Sequence, residues 1–505
     1  MLAAAPLARS AAAAPVVRTR AGRVRGTADG DVQIFRGIRY GADTAPRRFM
    51  PAVAPEPWRG VVDATAFGAA SPQPGSEANQ SEDCLFLNVT APIAKAAKPR
   101  PVIVYIHGGA YSSGSGSSPL YDGSTLCRRG DLVVVTINHR LTLFGYLSLP
   151  GFPDSGNAGM LDLVLGLRWV RDNIAAFGGD PGCITLLGQS GGGAKIATLM
   201  AMPAAAGLFH RAATMSGQQL TVSGPLHAAG RARVLLDKLG VPVERAATLA
   251  TLPPAELLRA HAGSVDPYVG RGSLYMGPVL DERTLTRHPF YPDAPSQSAG
   301  VPMMIGNTHD ETRSLIGRGD PNSWNVTWDA LPQRLETELR VDISGALVVA
   351  EYRRWYPNYS PSDVFFSATT AGRSWRAAIV EAELRAAQGS PAFAYQLDWG
   401  SPQDGGKWGA FHTLDIPLMF GTLGARESLT GDGAEARRMS TIMQGALLAF
   451  ARSGDPNHPD LARWEPYTLP RRATMVFNVE SRLEDDPRGA ERRLFAKVPF
   501  IQQGT

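Results

Sequence analysis

Apolar positions along the chain follow two rhythms. Residues 16–40, VVRTRAGRVRGTADGDVQIFRGIRY, alternate over short stretches and are broken by glycine-containing turns, which predicts short antiparallel strands. From residue 84 the apolar runs lengthen: CLFLNV (84–89), PVIVYIHGG (101–109), LVVVTIN (132–138) and ITLLGQS (184–190). Runs with so few polar interruptions suit strands buried on both faces. Between the last two lies MLDLVLGLRWVRDNIAAF (160–177), whose apolar residues recur at helical spacing. Strands alternating with helices predict a doubly wound, mostly parallel sheet, with ligands bound outside the carboxyl ends of its strands. From about 220 to 360 the pattern is mainly helical, as in RARVLLDKLG, PAELLRAHAG and LVVAEYRRWY, and is broken by the strand-like VPMMIGN (301–307). Two more strands, PAFAYQLDW (391–399) and TMVFNV (474–479), flank the long helix RRMSTIMQGALLAFARSG (437–454). No internal repeat is visible. The expected organisation is one α/β domain over residues 16–500, with a helical insertion at about 220–360 roofing the pocket, preceded by an Ala-rich tail over residues 1–15.

Composition narrows the function. The 505 residues are 44% hydrophobic and 19% charged, a globular balance. Fifty basic residues face forty-six acidic ones, interspersed, for a net charge of +4. No basic block tracks a phosphate backbone, which argues against nucleic-acid binding. No apolar run reaches the length of a membrane span. The opening MLAAAPLARSAAAAPVV reads either as the remnant of a signal peptide or as a low-complexity tail, because Pro6 and Arg9 interrupt its apolar stretch. Secreted, periplasmic and cytoplasmic locations therefore stay open. Three cysteines, Cys84, Cys127 and Cys183, do not make a disulfide framework. Neither C-x-x-C nor H-E-x-x-H occurs, so no metal site is signalled and no cofactor is expected.

One motif stands out from this background. G-x-S-x-G occurs as Gly188-Gln189-Ser190-Gly191-Gly192, between the apolar ITLL and the helical AKIATLM. That strand–turn–helix setting is what exposes a nucleophilic serine above a sheet edge. Small neighbours at 188 and 192 accommodate an awkward turn, and the following helix brings the positive end of its dipole. The alternative is a glycine-rich turn carrying a solvated serine.

A serine needs a base, and the base needs an orienting acid. In sheets of this type the chain order is Ser, Asp or Glu, then His. Strand VPMMIG is followed by NTHDE, which offers Asp310 and Glu311. Downstream, His412 lies in WGAFHTLDIPLMFG, after the strand at 391–399. His458, in DPNHPD, reads as a solvated loop histidine, and His309 precedes its acid and breaks the order. The loop YIHGGAYSSGS (105–115) directly follows a buried strand and is of the His-Gly-Gly type that supplies oxyanion donors. Gly109 and Ala110 are the candidate donors there, with Gly191 as a third. His107 is expected to brace this loop.

Together these blocks resemble the type-B carboxylesterase family, the esterase and cholinesterase branch of the α/β-hydrolases. The resemblance runs from about residue 16 to about 499. FGGDPGCITLLGQSGG (177–192) fits the family's serine signature, and EDCLFLNVTAP (82–92) its second, with Thr90 where an aliphatic or aromatic residue is usual. HGGAY, NHR (138–140), AFHTLDIP and FARSGDPN (450–457) look like further family blocks. The resemblance implies an α/β-hydrolase fold. It also implies Ser190 as nucleophile, Glu311 as acid and His412 as base, with Gly109, Ala110 and Gly191 as the oxyanion hole. It selects Glu311 over Asp310, which chain order left open. Thr312 departs from the glycine usual after the acid. Secretory members pair the signature cysteine with one just before PQ; here Ser71 holds that position, so Cys84 is expected to be unpaired. The choline-stacking tryptophan and the glutamate before the serine are both missing, the latter replaced by Gln189.

The expected activity is hydrolysis of a small-molecule carboxylic ester through an acyl-serine, by a monomer or homodimer. Amide, carbamate or thioester hydrolysis would use the same machinery. A non-catalytic adhesion or scaffold protein is the reading from another class. Tyr111 and Gln189 are the pocket residues expected from sequence, with Trp324, Trp328 and Trp375 as further aromatic candidates.

Overall fold

The computed structural model describes residues 14–270, 272–339, 341–502 and 504. Apart from Ala14 and Pro15, the Ala-rich tail lies outside the described residues. The chain builds an eleven-stranded sheet. Its strands are β1 (Thr27–Asp29), β2 (Val32–Arg39), β3 (Phe86–Pro92), β4 (Arg100–Ile106), β5 (Val133–Ile137), β6 (Gly179–Gln189), β7 (Arg211–Met215), β8 (Met303–Thr308), β9 (Ala392–Leu397), β10 (Ala473–Phe477) and β11 (Arg482–Asp485). Their spatial order is β11-β10-β9-β8-β7-β6-β4-β5-β3-β2-β1. From β5 to β10 every pairing is parallel, while β1, β2, β3 and β11 join antiparallel at the two edges. A separate three-stranded sheet holds Val16–Arg18, Arg23–Arg25 and Val61–Asp63. The fold is that of the α/β-hydrolases.

The parallel strands are buried on both faces, and their side chains divide accordingly. Along β4, Val102, Val104 and Ile106 enter one core while Ile103 and Tyr105 enter the other. In β8, Met303 and Ile305 oppose Met304 in the same way. Helices α1 (Ala158–Asn173), α2 (Gly191–Ala201), α3 (Glu311–Leu315), α4 (Pro361–Thr370), α5 (Arg376–Ala387) and α6 (Ala434–Ser453) concern the site or cover the sheet. A third cluster, including Leu331, Val348, Phe365, Phe366 and Trp375, lies apart from the two sheet cores.

Two strands differ from the sequence reading. Residues 84–89 were grouped with the parallel strands, but β3 runs antiparallel to both β2 and β5. Only Leu87, Val89 and Ala91 of β3 reach the core, because Asn88 and Thr90 face the other side and line a separate surface cavity. Strand β7, at the centre of the sheet, had no sequence signal: its RAATM is rich in alanine and short, and its position between β6 and β8 supplies what its propensity lacks. Among the described residues no helix is long and apolar enough to cross a membrane. Cys84, Cys127 and Cys183 are all unpaired.

Candidate active site

Ser190 caps the N-terminus of α2 directly after β6, at φ 55° and ψ −125°. This is a costly conformation for a residue with a side chain. It is held by the Ser190 N–H donating to the Met215 carbonyl at 2.7 Å. Close packing explains the flanking glycines: a Cβ on Gly188 would lie 2.5 Å from the Gly192 carbonyl carbon, and one on Gly192 would lie 1.9 Å from the Ile106 oxygen. The turn therefore wedges between the ends of β4 and β6, and Ser190 opens into a cavity of about 260 Å³.

Glu311 and His412 meet beside it. Glu311 begins α3, immediately beyond β8, and is fully buried. One carboxylate oxygen accepts from the Thr308 N–H at 3.0 Å and the Asn307 side-chain amide at 3.2 Å. The other pairs with His412 Nδ1. Burial alone would raise the Glu311 pKa, but the adjacent imidazole and these donors hold it below the ordinary glutamate value. Its neighbour Asp310 faces elsewhere: it pairs with His309 at 3.3 Å and accepts from the Ala410 N–H at 2.9 Å. Despite burial, His309 and Arg313 bring Asp310 down to about 2. Thr312 is buried and donates its hydroxyl to the Phe366 carbonyl at 2.7 Å, tying the segment after Glu311 to α4. Behind the pair, Asp415 is pushed up to about 7 by burial and by the nearby Glu311, and it accepts from the Tyr395 hydroxyl at 3.0 Å. His458 is half-buried rather than solvated, 3.1 Å from the Ile442 carbonyl on α6.

The loop after β4 passes close over the serine turn. Gly109 and Ala110 both hold positive φ, 81° and 49°. A Cβ on Gly191 would lie 2.5 Å from the Ala110 nitrogen, so the two backbones are in contact. Among the described residues no protein acceptor takes the N–H of Gly109, Ala110 or Gly191. Donors gathered at a cavity floor and left free are suited to a developing oxyanion.

Underneath this loop lies a residue the sequence reading passed over. Lys195, on α2, is completely buried and donates to the Ala110 carbonyl at 2.6 Å and the His107 carbonyl at 3.3 Å. Its ammonium also sits 5.3 Å from the Tyr111 ring centroid. Burial pushes it down to about 7. A lysine within the apolar run AKIATLM was the available signal. His107, whose Nδ1 is 2.9 Å from the Gly108 carbonyl, is pushed down to about 3 by burial and by Lys195. It belongs to the loop's bracing.

The walls of the cavity come from several segments. Tyr111 lines it and donates its hydroxyl to the Gln219 side-chain oxygen at 3.0 Å. Gln218, Gln219, Tyr275, Leu315, Arg373, Ala377, Phe500 and Gln502 add to the lining, so it draws on residues 275 and 315 and equally on residues beyond 360. Gln189 corrects the sequence expectation: it does not line the cavity. Position 189 is the last of a buried strand, so the side chain turns inward, 1% exposed, with its amide nitrogen 3.2 Å from His412 Nε2. The tryptophans do not line it either. Trp324 and Trp375 pack in the third cluster, and Trp328 lies at the surface under Arg353. Among the described residues no group of His, Cys, Asp and Glu is arranged to hold a metal.

Comparison with known proteins identifies the family. The carboxylesterase family model matches residues 13–494. The para-nitrobenzyl esterase of Bacillus subtilis (strain 168) is 35% identical over 492 residues, covering 95% of this chain and 98% of that protein. Human carboxylesterase 3 is 30% identical, covering 90% and 86%. The crystal structure of the carboxylesterase of Geobacillus stearothermophilus superimposes with a TM-score of 0.84 at 38% identity, covering 95% of this chain and 99% of that one. With its sheet, its serine turn and its sequence all in agreement, the chain belongs to the carboxylesterase family.

Proposed function

We propose that this carboxylic ester hydrolase works through an acyl-serine formed on Ser190. The observation that carries the reading is the buried Glu311–His412 pair beside a strained serine turn, at the floor of a cavity with free backbone donors. His412 takes the Ser190 proton as the oxygen attacks the ester carbonyl. The N–H groups of Gly109, Ala110 and Gly191 receive the oxyanion. The imidazolium gives its proton to the leaving alcohol, and the carboxylate of Glu311 stabilises the imidazolium while it exists. Water, deprotonated by His412, then attacks the acyl-enzyme, and the acid product leaves. Glu311 is kept ionised despite full burial, as this role requires.

A fluorophosphonate probe, followed by peptide mapping, tests the nucleophile. The expected adduct is on Ser190. Ser190→Ala is expected to lower kcat on a p-nitrophenyl ester by about 10⁶-fold with the fold retained. An adduct on another residue, or full turnover by the alanine variant, would overturn the assignment.

A further inference from the structure

The segment that follows β7 lies directly against the serine turn. The Ser190 N–H donates to the Met215 carbonyl at 2.7 Å, and a Cβ on Gly217 would lie 1.9 Å from the Ser190 carbonyl oxygen. Gln218 comes next. It is 7% exposed and lines the cavity into which Ser190 opens. A primary amide offers two N–H donors and one acceptor oxygen, and when it is this deeply buried each end needs a partner.

Which end of Gln218 looks into the cavity follows from the charge on Glu311, passed through a second amide. The Glu311 carboxylate is ionised at neutral pH and can only accept, so Asn307 presents Nδ2 to it, at 3.2 Å. Asn307 Oδ1 is then left to accept, and it takes the Gln218 side-chain nitrogen at 3.4 Å. The Gly306 carbonyl lies 3.5 Å from the same nitrogen. Gly306 and Asn307 belong to β8 and are not part of the lining. The Gln218 nitrogen is therefore turned out of the cavity towards β8, and Oε1 is the end that faces in. Among the described residues no donor reaches that oxygen. Its neighbour Gln219, by contrast, is engaged at both ends of its amide. It accepts from the Tyr111 hydroxyl at 3.0 Å and donates to the Thr221 carbonyl at 2.6 Å, and its backbone N–H goes to the buried Glu381 on α5 at 2.8 Å.

We propose that Gln218 Oε1 is a specificity-determining acceptor, and that the favoured substrates are esters whose acyl part carries a hydrogen-bond donor, such as the N–H of an amide. The donor belongs on the acyl part, because that part stays bonded to Ser190 through both half-reactions and the segment holding Gln218 packs against that serine. An ester that displaces water from the cavity and brings no donor leaves a buried acceptor unpaired, which a site of this kind penalises. This rests on the acyl-serine reading and adds to it which esters are preferred.

The test uses p-nitrophenyl esters of N-acetylglycine, N-acetyl-β-alanine and 4-acetamidobutyric acid, which set the amide N–H at three distances from the ester. Each is paired with the keto ester in which a methylene replaces the N–H: levulinate, 5-oxohexanoate and 6-oxoheptanoate. The ratio of kcat/KM within each pair is divided by the ratio of their hydroxide-catalysed rates, which removes intrinsic reactivity. For at least one pair the corrected wild-type ratio is expected to favour the amide by roughly ten- to a hundredfold. Gln218→Met keeps the length and removes the acceptor, and should bring that ratio near one. Gln218→Glu keeps an oxygen facing the cavity and should retain most of it. Corrected ratios of one or less in all three pairs, or a preference unchanged in Gln218→Met, would overturn the acceptor while leaving the hydrolase intact. Turnover of p-nitrophenyl acetate, which carries no donor, reports the acyl-serine reading separately: its persistence in Ser190→Ala would overturn that reading, and the acceptor with it. If Gln218→Met does not fold, the wild-type ratios and Gln218→Glu decide.

Discussion

The floor of the cavity and its wall each bury a glutamate completely, and they hold it in opposite charge states. On the floor, Glu311 receives hydrogen bonds from Thr308 and Asn307 and faces an imidazole, and its pKa lies below the ordinary value. In the wall, Glu381 receives one backbone hydrogen bond from Gln219, and among the described residues its second oxygen has no partner. Burial therefore dominates there and pushes it up to about 8. The two side chains are the same and so is their exposure, 0% in each case. What differs is the company each keeps: an imidazole partner and several donors outweigh the cost of desolvating a carboxylate, and a single backbone donor does not. The floor is organised to sustain charge, and the wall to keep its glutamate neutral.

Substituting each glutamate by glutamine puts that contrast to the test. Glu311→Gln preserves shape and removes the charge that, in the proposed mechanism, steadies the His412 imidazolium. It is expected to lower kcat on a neutral p-nitrophenyl ester by about 10⁴-fold. Steady-state kinetics on a folded variant, checked by circular dichroism, measures this. Equal losses from Glu311→Gln and Glu381→Gln would break the contrast between floor and wall.

The next effect in size concerns Lys195, which belongs to the floor. Lys195→Met fills a similar volume and removes both hydrogen bonds to the loop that carries the proposed oxyanion donors. Ala110 is then free to shift relative to Gly191, its contact across the serine turn. The expected result is a fall in kcat of roughly 10- to 100-fold with KM much less affected, since in the proposed mechanism the loop's donors act on the oxyanion more than on bound ester. An unchanged kcat would mean that the turn at Gly109 and Ala110 holds its shape without the lysine.

Much of the floor was legible in the sequence, and the reason is local. Ser190, its glycines and the loop at 107–110 each follow a buried apolar strand, so motif and setting could be read within a dozen residues. Chain order narrowed the expected acid to Asp310 or Glu311 and the family resemblance selected Glu311; in the structure Glu311 pairs with His412 while Asp310 faces His309. The wall was not legible, because its members come together from distant segments. Tyr111, Gln219 and Glu381 form one chain of contacts across 270 positions of sequence. No pattern near residue 381 marks it as different from any other glutamate in an amphipathic helix. Gln189 was misread for a related reason: adjacency to Ser190 suggested the cavity, but strand alternation turns neighbouring side chains to opposite faces. Strand β7 was missed because Ala212 and Ala213 carry little β-preference of their own, and β3 was assigned the wrong direction because its polar Asn88 and Thr90 were outweighed by four apolar neighbours.

The smallest effect is also the one that reads the charge state of the wall directly. In the folded protein Glu381 keeps its proton up to about 8, whereas in the unfolded chain it loses it near 4.5. Between those values the folded state binds more protons than the unfolded one, so stability falls as pH rises. The contribution is complete below the unfolded value and is lost as pH climbs through the folded one. Glutamine has no proton to lose and still accepts from the Gln219 N–H. Glu381→Gln should therefore match the wild type in thermal unfolding at pH 5 and exceed it at pH 9, by roughly 2–4 °C. Glu311 carries the opposite sign: its pKa is depressed, so its contribution is present above 4.5 and is lost as pH falls through the folded value. Glu311→Gln should accordingly destabilise at pH 7, with the difference from wild type shrinking in acid. If the two variants shifted the unfolding temperature with the same pH dependence, both carboxyls would be in the same charge state, and the division between a charged floor and a neutral wall would fall.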